Sequence, residues 1–149
     1  MMAQRPYRAQ GRLALVRVVR DDLASAHAGS LAHVASPGAR LTAERRLRIA
    51  AVAREAYLAA DPSPPWVRPY GDPALDVAYR LARHAGTITE QWYEQIVTEG
   101  MHPLEWVEIV GVVIATVPVV AFARAAGVPM PAWPSPGVQL QPPAIAVQD

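Results

Sequence analysis

Apolar side chains recur at helical spacing in five stretches of this chain, and proline and glycine clusters separate them. In Arg12 to Ala26, Leu13, Val16, Val19 and Leu23 share one side while Arg17, Arg20 and Asp21 lie largely on the other, which predicts an amphipathic helix. Gly29 and Ser36-Pro37-Gly38 punctuate the residues after it. Thr42 then stands as the N-cap of a second helix, 42–60, whose apolar positions Leu47, Ile49, Ala53 and Tyr57 alternate with Arg45, Arg46, Arg48 and Arg54. Four prolines within DPSPPWVRPY, Asp61 to Tyr70, remove donors and hold φ fixed, so this segment is expected to be a rigid loop.

Three further helices are predicted by capping chemistry. Asp72-Pro73 pairs an acidic N-cap with proline at the first helical position, opening a helix over 73–84 that stops near Gly86. Thr89 caps a fourth, 89–99, with Glu90 at its positive pole and Gly100 at its end. His102-Pro103 opens the fifth, 103–125, with Met101 and Trp106 spaced as a hydrophobic staple.

From Ile109 to Ala123 that fifth helix carries no charge. Fifteen uncharged residues bounded by Glu108 and Arg124 fall short of the roughly twenty a bilayer span needs, so a buried central helix and no membrane span are expected. Pro118 inside it is expected to kink it or remove a backbone bond, at a cost of about 3 kcal/mol. Beyond Gly127-Val128-Pro129, residues 131–149 hold five prolines and are expected to form an extended or disordered tail to a single domain of residues 1–130. A chain of 149 residues is long enough for one core without staples.

Composition changes the picture in two ways. The net charge of +1 hides a split: residues 1–54 hold ten arginines against three acids, whereas residues 69–149 hold three arginines against eight acids. The bland consequence is that the two halves dock on each other; the sharper one is that the arginine-rich half takes a polyanion, although nucleic acid is not the expected partner. The second point is the absence of cysteine, which removes disulfides, thiolate metal sites and any thiol nucleophile. The first ten residues are polar and Arg-containing, with no secretory apolar region, so a cytoplasmic location is expected.

The run from Thr87 to Pro129, TITEQWYEQIVTEGMHPLEWVEIVGVVIATVPVVAFARAAGVP, is the most informative part. Its capped short helix, glycine turn, acid-bearing start to a long apolar helix and closing Gly-Val-Pro resemble the C-terminal half of the alkylhydroperoxidase D-like and carboxymuconolactone decarboxylase-like family. Leu41 to Ala53 looks like that family's Arg- and Glu-bearing lead-in, so the resemblance covers residues 41–129. It implies an all-α fold of five to six helices, assembled as a homo-oligomer. Departures are equally specific. Arg46 stands where the family has a proton-relay Glu, Ala59 to Pro62 replace its Cys-x-x-Cys, and Val120-Ala121 replace an Asn-Arg pair.

Peroxide reduction needs an attacking and a resolving thiol, so turnover of that kind is excluded. Three readings stay open: a redox-inactive relative that binds a small molecule or a protein partner, an acid/base enzyme of the decarboxylase type, and a polyanion binder. For the acid/base reading the candidate catalytic residues are Glu108 and His102, with His84 and Glu105 as further titratable groups. Each has a structural explanation as well: His102 as a residue ahead of Pro103, Glu105 as a first-turn acid, and Glu108 as a solvated or Arg-paired side chain. His27 and His33 show no metal-ligand spacing, and no cofactor or metal is expected. The aromatic residues, among them Trp66, Tyr79 and Trp92, could line a pocket with the proline-rich loop or fill the core.

Overall fold

The computed structural model describes residues 20–135. It contains five α-helices in the order α1 (Asp21–Val34), α2 (Ala43–Leu58), α3 (Pro73–His84), α4 (Glu90–Thr98) and α5 (Pro103–Ala126), with a 3-10 turn at Ala85–Thr87. No strand occurs among the described residues, and the fold is all-α.

Capping chemistry sets most of these boundaries. The Thr42 hydroxyl accepts from the Arg45 N–H, Thr89 accepts from Trp92, and Asp72 accepts from Ala74 and Leu75 ahead of Pro73. Gly100 (φ 111°) and Gly127 (φ 65°) take backbone conformations that L side chains rarely adopt, ending α4 and α5 respectively. The first helix departs from the sequence expectation of 12–26. It begins at Asp21, with Asp21 and Asp22 at its positive pole, and runs through Gly29 as far as Val34. Gly29 is therefore helical and not a break; the stop comes at Ser36-Pro37-Gly38. The expected residues 12–19 lie outside the described ones.

The long α5 is the hub, packing on α1, α2 and α3, while α2 and α3 also pack tightly on each other. Its inward side places Ile109, Val112, Thr116 and Val120 in the core with Ile49, Leu75 and Ile96, all fully buried. Pro118 lies inside the helix without ending it, on its exposed side, and deprives the Ile114 carbonyl of its usual donor. At 24 residues α5 is, by length and composition, able to cross a membrane; its uncharged stretch is the fifteen residues between Glu108 and Arg124.

The proline-rich loop is tied to α3. The Tyr79 hydroxyl donates to the Ser63 carbonyl at 2.9 Å, and His84 Nε2 meets the same oxygen at 2.9 Å. The start of the expected tail is also held: Trp133 packs against the core, and the Arg54 guanidinium lies 5.4 Å from its ring centre. Residues 136–149 of that tail lie outside the described ones.

Candidate functional site

Two polar clusters stand out, and the first contains Glu108. From the second turn of α5 its carboxylate reaches the loop between α1 and α2, accepting from the Arg40 N–H at 2.6 Å and the Leu41 N–H at 3.2 Å. Gly38 makes room there: a methyl group in place of its hydrogen would overlap the Glu108 carboxylate, which would have to move from the loop N–H groups it accepts from, and come within 3.1 Å of Arg46 Nη1. Arg46 is 6% exposed, and its Nε finds no acceptor among the described residues.

His102 is six residues away on the same chain, and the two are not brought together. Its Nδ1 accepts from the Leu104 N–H at 3.1 Å, so the imidazole caps α5. Glu105 sits in the first turn of that helix. His84 holds the proline-rich loop, and His27 stacks edge-on against Phe122 at 5.0 Å in an apolar groove. The four titratable groups singled out from sequence thus occupy structural posts at different places. Among the described residues, no cluster of three or more His, Asp or Glu is arranged to hold a metal.

The second cluster is a cavity of about 220 Å³ where the proline-rich loop crosses α3 and α4, lined by Trp66, Arg68, Asp76, Arg80, Trp92 and Gln95 together with Pro65 and Val67. Asp76 forms its floor. Its side chain is 1% exposed, accepting from Arg68 Nε at 3.2 Å and from the Tyr70 N–H at 2.9 Å. Arg68 also bonds Glu99 at 2.6 Å, and that contact, ahead of the one to Asp76, raises its pKa above the ordinary value. The same bond lowers the pKa of Glu99.

Arg80 forms the wall. Its guanidinium stands 4.2 Å from the centre of the Trp92 ring, while Nε and Nη2 donate to the Thr87 hydroxyl (3.0 Å) and carbonyl (2.6 Å). Burial pulls its pKa below the ordinary arginine value. The Trp92 ring is braced in turn by Trp106, edge-on at 5.6 Å. Trp66, 78% exposed, forms the lip.

Arg68, Asp76 and Arg80 were not singled out from sequence. One signal was available: Asp76 sits inside the run Ala74 to Tyr79, which is buried throughout, and an acid in such a run needs a partner. Its partner comes from a loop whose course the sequence leaves open. Among the described residues, the arginines of the first half do not share one exposed face. Arg45 pairs with Asp72 at 2.6 Å, Arg46 is buried, Arg48 is exposed, and Arg12 lies outside the described residues.

No protein-family model matches the chain, and no curated protein or solved structure shows significant similarity to it.

Proposed function

We propose that this protein is a redox-inactive helical binding domain whose ligand is a small planar acid, held in the cavity between the proline-rich loop, α3 and α4. One observation carries the reading: Arg80 is stacked on Trp92 beside a solvent-exposed indole, Trp66, with guanidinium nitrogens of Arg80 and Arg68 left over. Arg80 engages two of its three nitrogens and Arg68 two of its three, so Arg80 Nη1 and Arg68 Nη2 have no acceptor among the described residues. Aromatic walls take a flat ring, and the remaining N–H groups suit a carboxylate. The volume lies below the roughly 300–1,000 Å³ of drug-sized sites, which limits the ligand to about one ring with its substituents.

In this reading the chain resembles the alkylhydroperoxidase D-like family in helix order but carries none of the thiols that family's redox chemistry uses. The acid/base alternative is less well supported, because Glu108 and His102 each accept from backbone N–H groups at different places and do not line one cavity together.

The test is a tryptophan fluorescence titration of the full chain with benzoate, benzamide and benzylamine. Benzoate is expected to give a saturable change and benzylamine none. Trp66→Ala should abolish the benzoate response, and Arg80→Gln should weaken it by about tenfold or more, as loss of a charge-assisted contact does. Absence of saturation with any aromatic acid, or saturation indifferent to both substitutions, refutes the assignment.

A further inference from the structure

The cavity between the proline-rich loop, α3 and α4 has two unlike ends. Asp76 and Arg80 lie one turn apart on α3, and Trp92, Gln95 and Glu99 share one side of α4 and its C-cap. At the first end Arg80 stacks on Trp92 and donates only to Thr87; among the described residues no carboxylate pairs with it. At the second end Arg68 faces two carboxylates, Asp76 at 3.2 Å and Glu99 at 2.6 Å. Positive charge is therefore left over beside Trp92 and negative charge around Arg68. One helical turn, about 6 Å, separates the two ends along α3, which is the scale of a benzene ring between its para substituents.

Glu99 does more than anchor Arg68. Its other oxygen accepts from Gln95 Nε2 at 3.1 Å, so one carboxylate holds Arg68 by Nη1 and Gln95 by its amide nitrogen. Arg68 Nη2 is left as a donor and Gln95 Oε1 as an acceptor, each without a partner among the described residues, and both residues line the cavity. A donor and an acceptor tied to the same group match the oxygen and nitrogen of a carboxamide. Stability of α4 alone does not call for Glu99, since an acid at the negative pole of a helix is unfavourable.

We propose that the ligand is an aromatic monocarboxylate with a neutral carboxamide at the far end of its ring, and that Glu99 sets this choice as a positioning residue. The assignment rests on the planar-acid reading of the same cavity. The ligand carboxylate meets Arg80 Nη1. Its amide oxygen accepts from Arg68 Nη2, and its amide nitrogen donates to Gln95 Oε1. A second carboxylate in that place would set its charge against Glu99 and Asp76 and its lone pairs against Gln95 Oε1, with no donor of its own to relieve either.

Terephthalate and 4-carbamoylbenzoate have nearly the same shape and differ by that charge, so the pair isolates the choice. In tryptophan fluorescence titrations of the full chain, 4-carbamoylbenzoate is expected to bind about threefold or more tighter than benzoate, as an added hydrogen bond does. Terephthalate should bind about tenfold or more weaker than 4-carbamoylbenzoate. Glu99→Ala should bring these last two within about threefold of each other, because it removes the charge and releases both Arg68 and Gln95. Gln95→Met, at an exposed position of α4, should remove the advantage of 4-carbamoylbenzoate over benzoate. Helical circular dichroism checks that each variant keeps the fold, and the wild-type comparison needs no substitution. Terephthalate as tight as 4-carbamoylbenzoate, or a ratio indifferent to Glu99→Ala, overturns this assignment and leaves the planar-acid site standing. Failure of benzoate and 4-carbamoylbenzoate alike to saturate overturns both.

Discussion

The two polar clusters differ in what they leave unused. Around Glu108 each carboxylate oxygen accepts from a backbone N–H of the loop between α1 and α2, and the bare Gly38 leaves it room there. Around Arg80 the protein satisfies its own polar groups and still has donors, the exposed Trp66 indole and space left over. Both look alike as sequence, a charged residue beside apolar ones. The difference is that a carboxylate bonded to backbone across more than sixty residues holds the fold, whereas surplus donors around a void can recognise something else.

The largest effect expected lies under the cavity. Asp76→Ala leaves the Tyr70 N–H without its acceptor and Arg68 with Glu99 alone. Removing one member of a fully buried pair costs about 3–5 kcal/mol; Arg68 is 33% exposed, so about 2–4 kcal/mol is expected here, read by chemical denaturation. Trp66→Ala, at the lip of the same cavity, should change stability by less than about 0.5 kcal/mol. An Asp76→Ala variant as stable as the parent would mean the floor is not holding the loop, and the contrast between floor and lip would fall.

The Glu108 cluster should respond in a coupled way. Glu108→Ala is expected to cost about 1.5–3 kcal/mol, as loss of charge-assisted bonds does, while leaving benzoate affinity unchanged. Gly38→Ala forces a methyl group into the carboxylate and should cost about 1–3 kcal/mol alone. In the Glu108→Ala background most of that cost should vanish, because the clash partner is gone. Additive losses in this double-mutant cycle would show that Gly38 serves some purpose other than admitting Glu108.

Legibility followed chain distance. Thr42, Asp72, Thr89, His102 and the glycines at 100 and 127 act within one helical turn, so their spacing alone located four of the five helices. Glu108 could be marked as notable but not interpreted, since its partners lie 67 and 68 residues away. The cavity is less legible still: Arg68, Asp76 and Glu99 meet only because the proline-rich loop folds back over α3. The first helix ends later than the sequence suggests for a local reason. Gly29 reads as punctuation, but tertiary packing of Leu31, Ala32 and Val34 carries the helix through it.

The smallest effect is one of pH, and it separates a cap from a site. Asp72 is hydrogen-bonded by Arg45 at 2.6 Å and also caps α3; the Arg45 bond is the main reason its pKa is lowered, with the backbone donors of Leu75 and Ala74 adding to it. Because the folded state holds this proton less tightly than the unfolded chain, the contribution to stability is fully present above the unfolded carboxylate pKa of about 4. It is lost as pH falls below that value through the depressed folded one. Both side chains are about one third exposed, at 29% and 31%, so solvent screening keeps the effect below about 1 kcal/mol. Asp72→Asn should therefore flatten the acid limb of a stability curve below about pH 4 and change nothing between pH 6 and pH 8 beyond a uniform offset. Benzoate binding by Asp72→Asn should match the parent at neutral pH, since Asp72 does not line the cavity. An acid limb unchanged by the substitution would place the titrating group elsewhere, and a lost benzoate response would show that the α3 cap and the cavity are one unit.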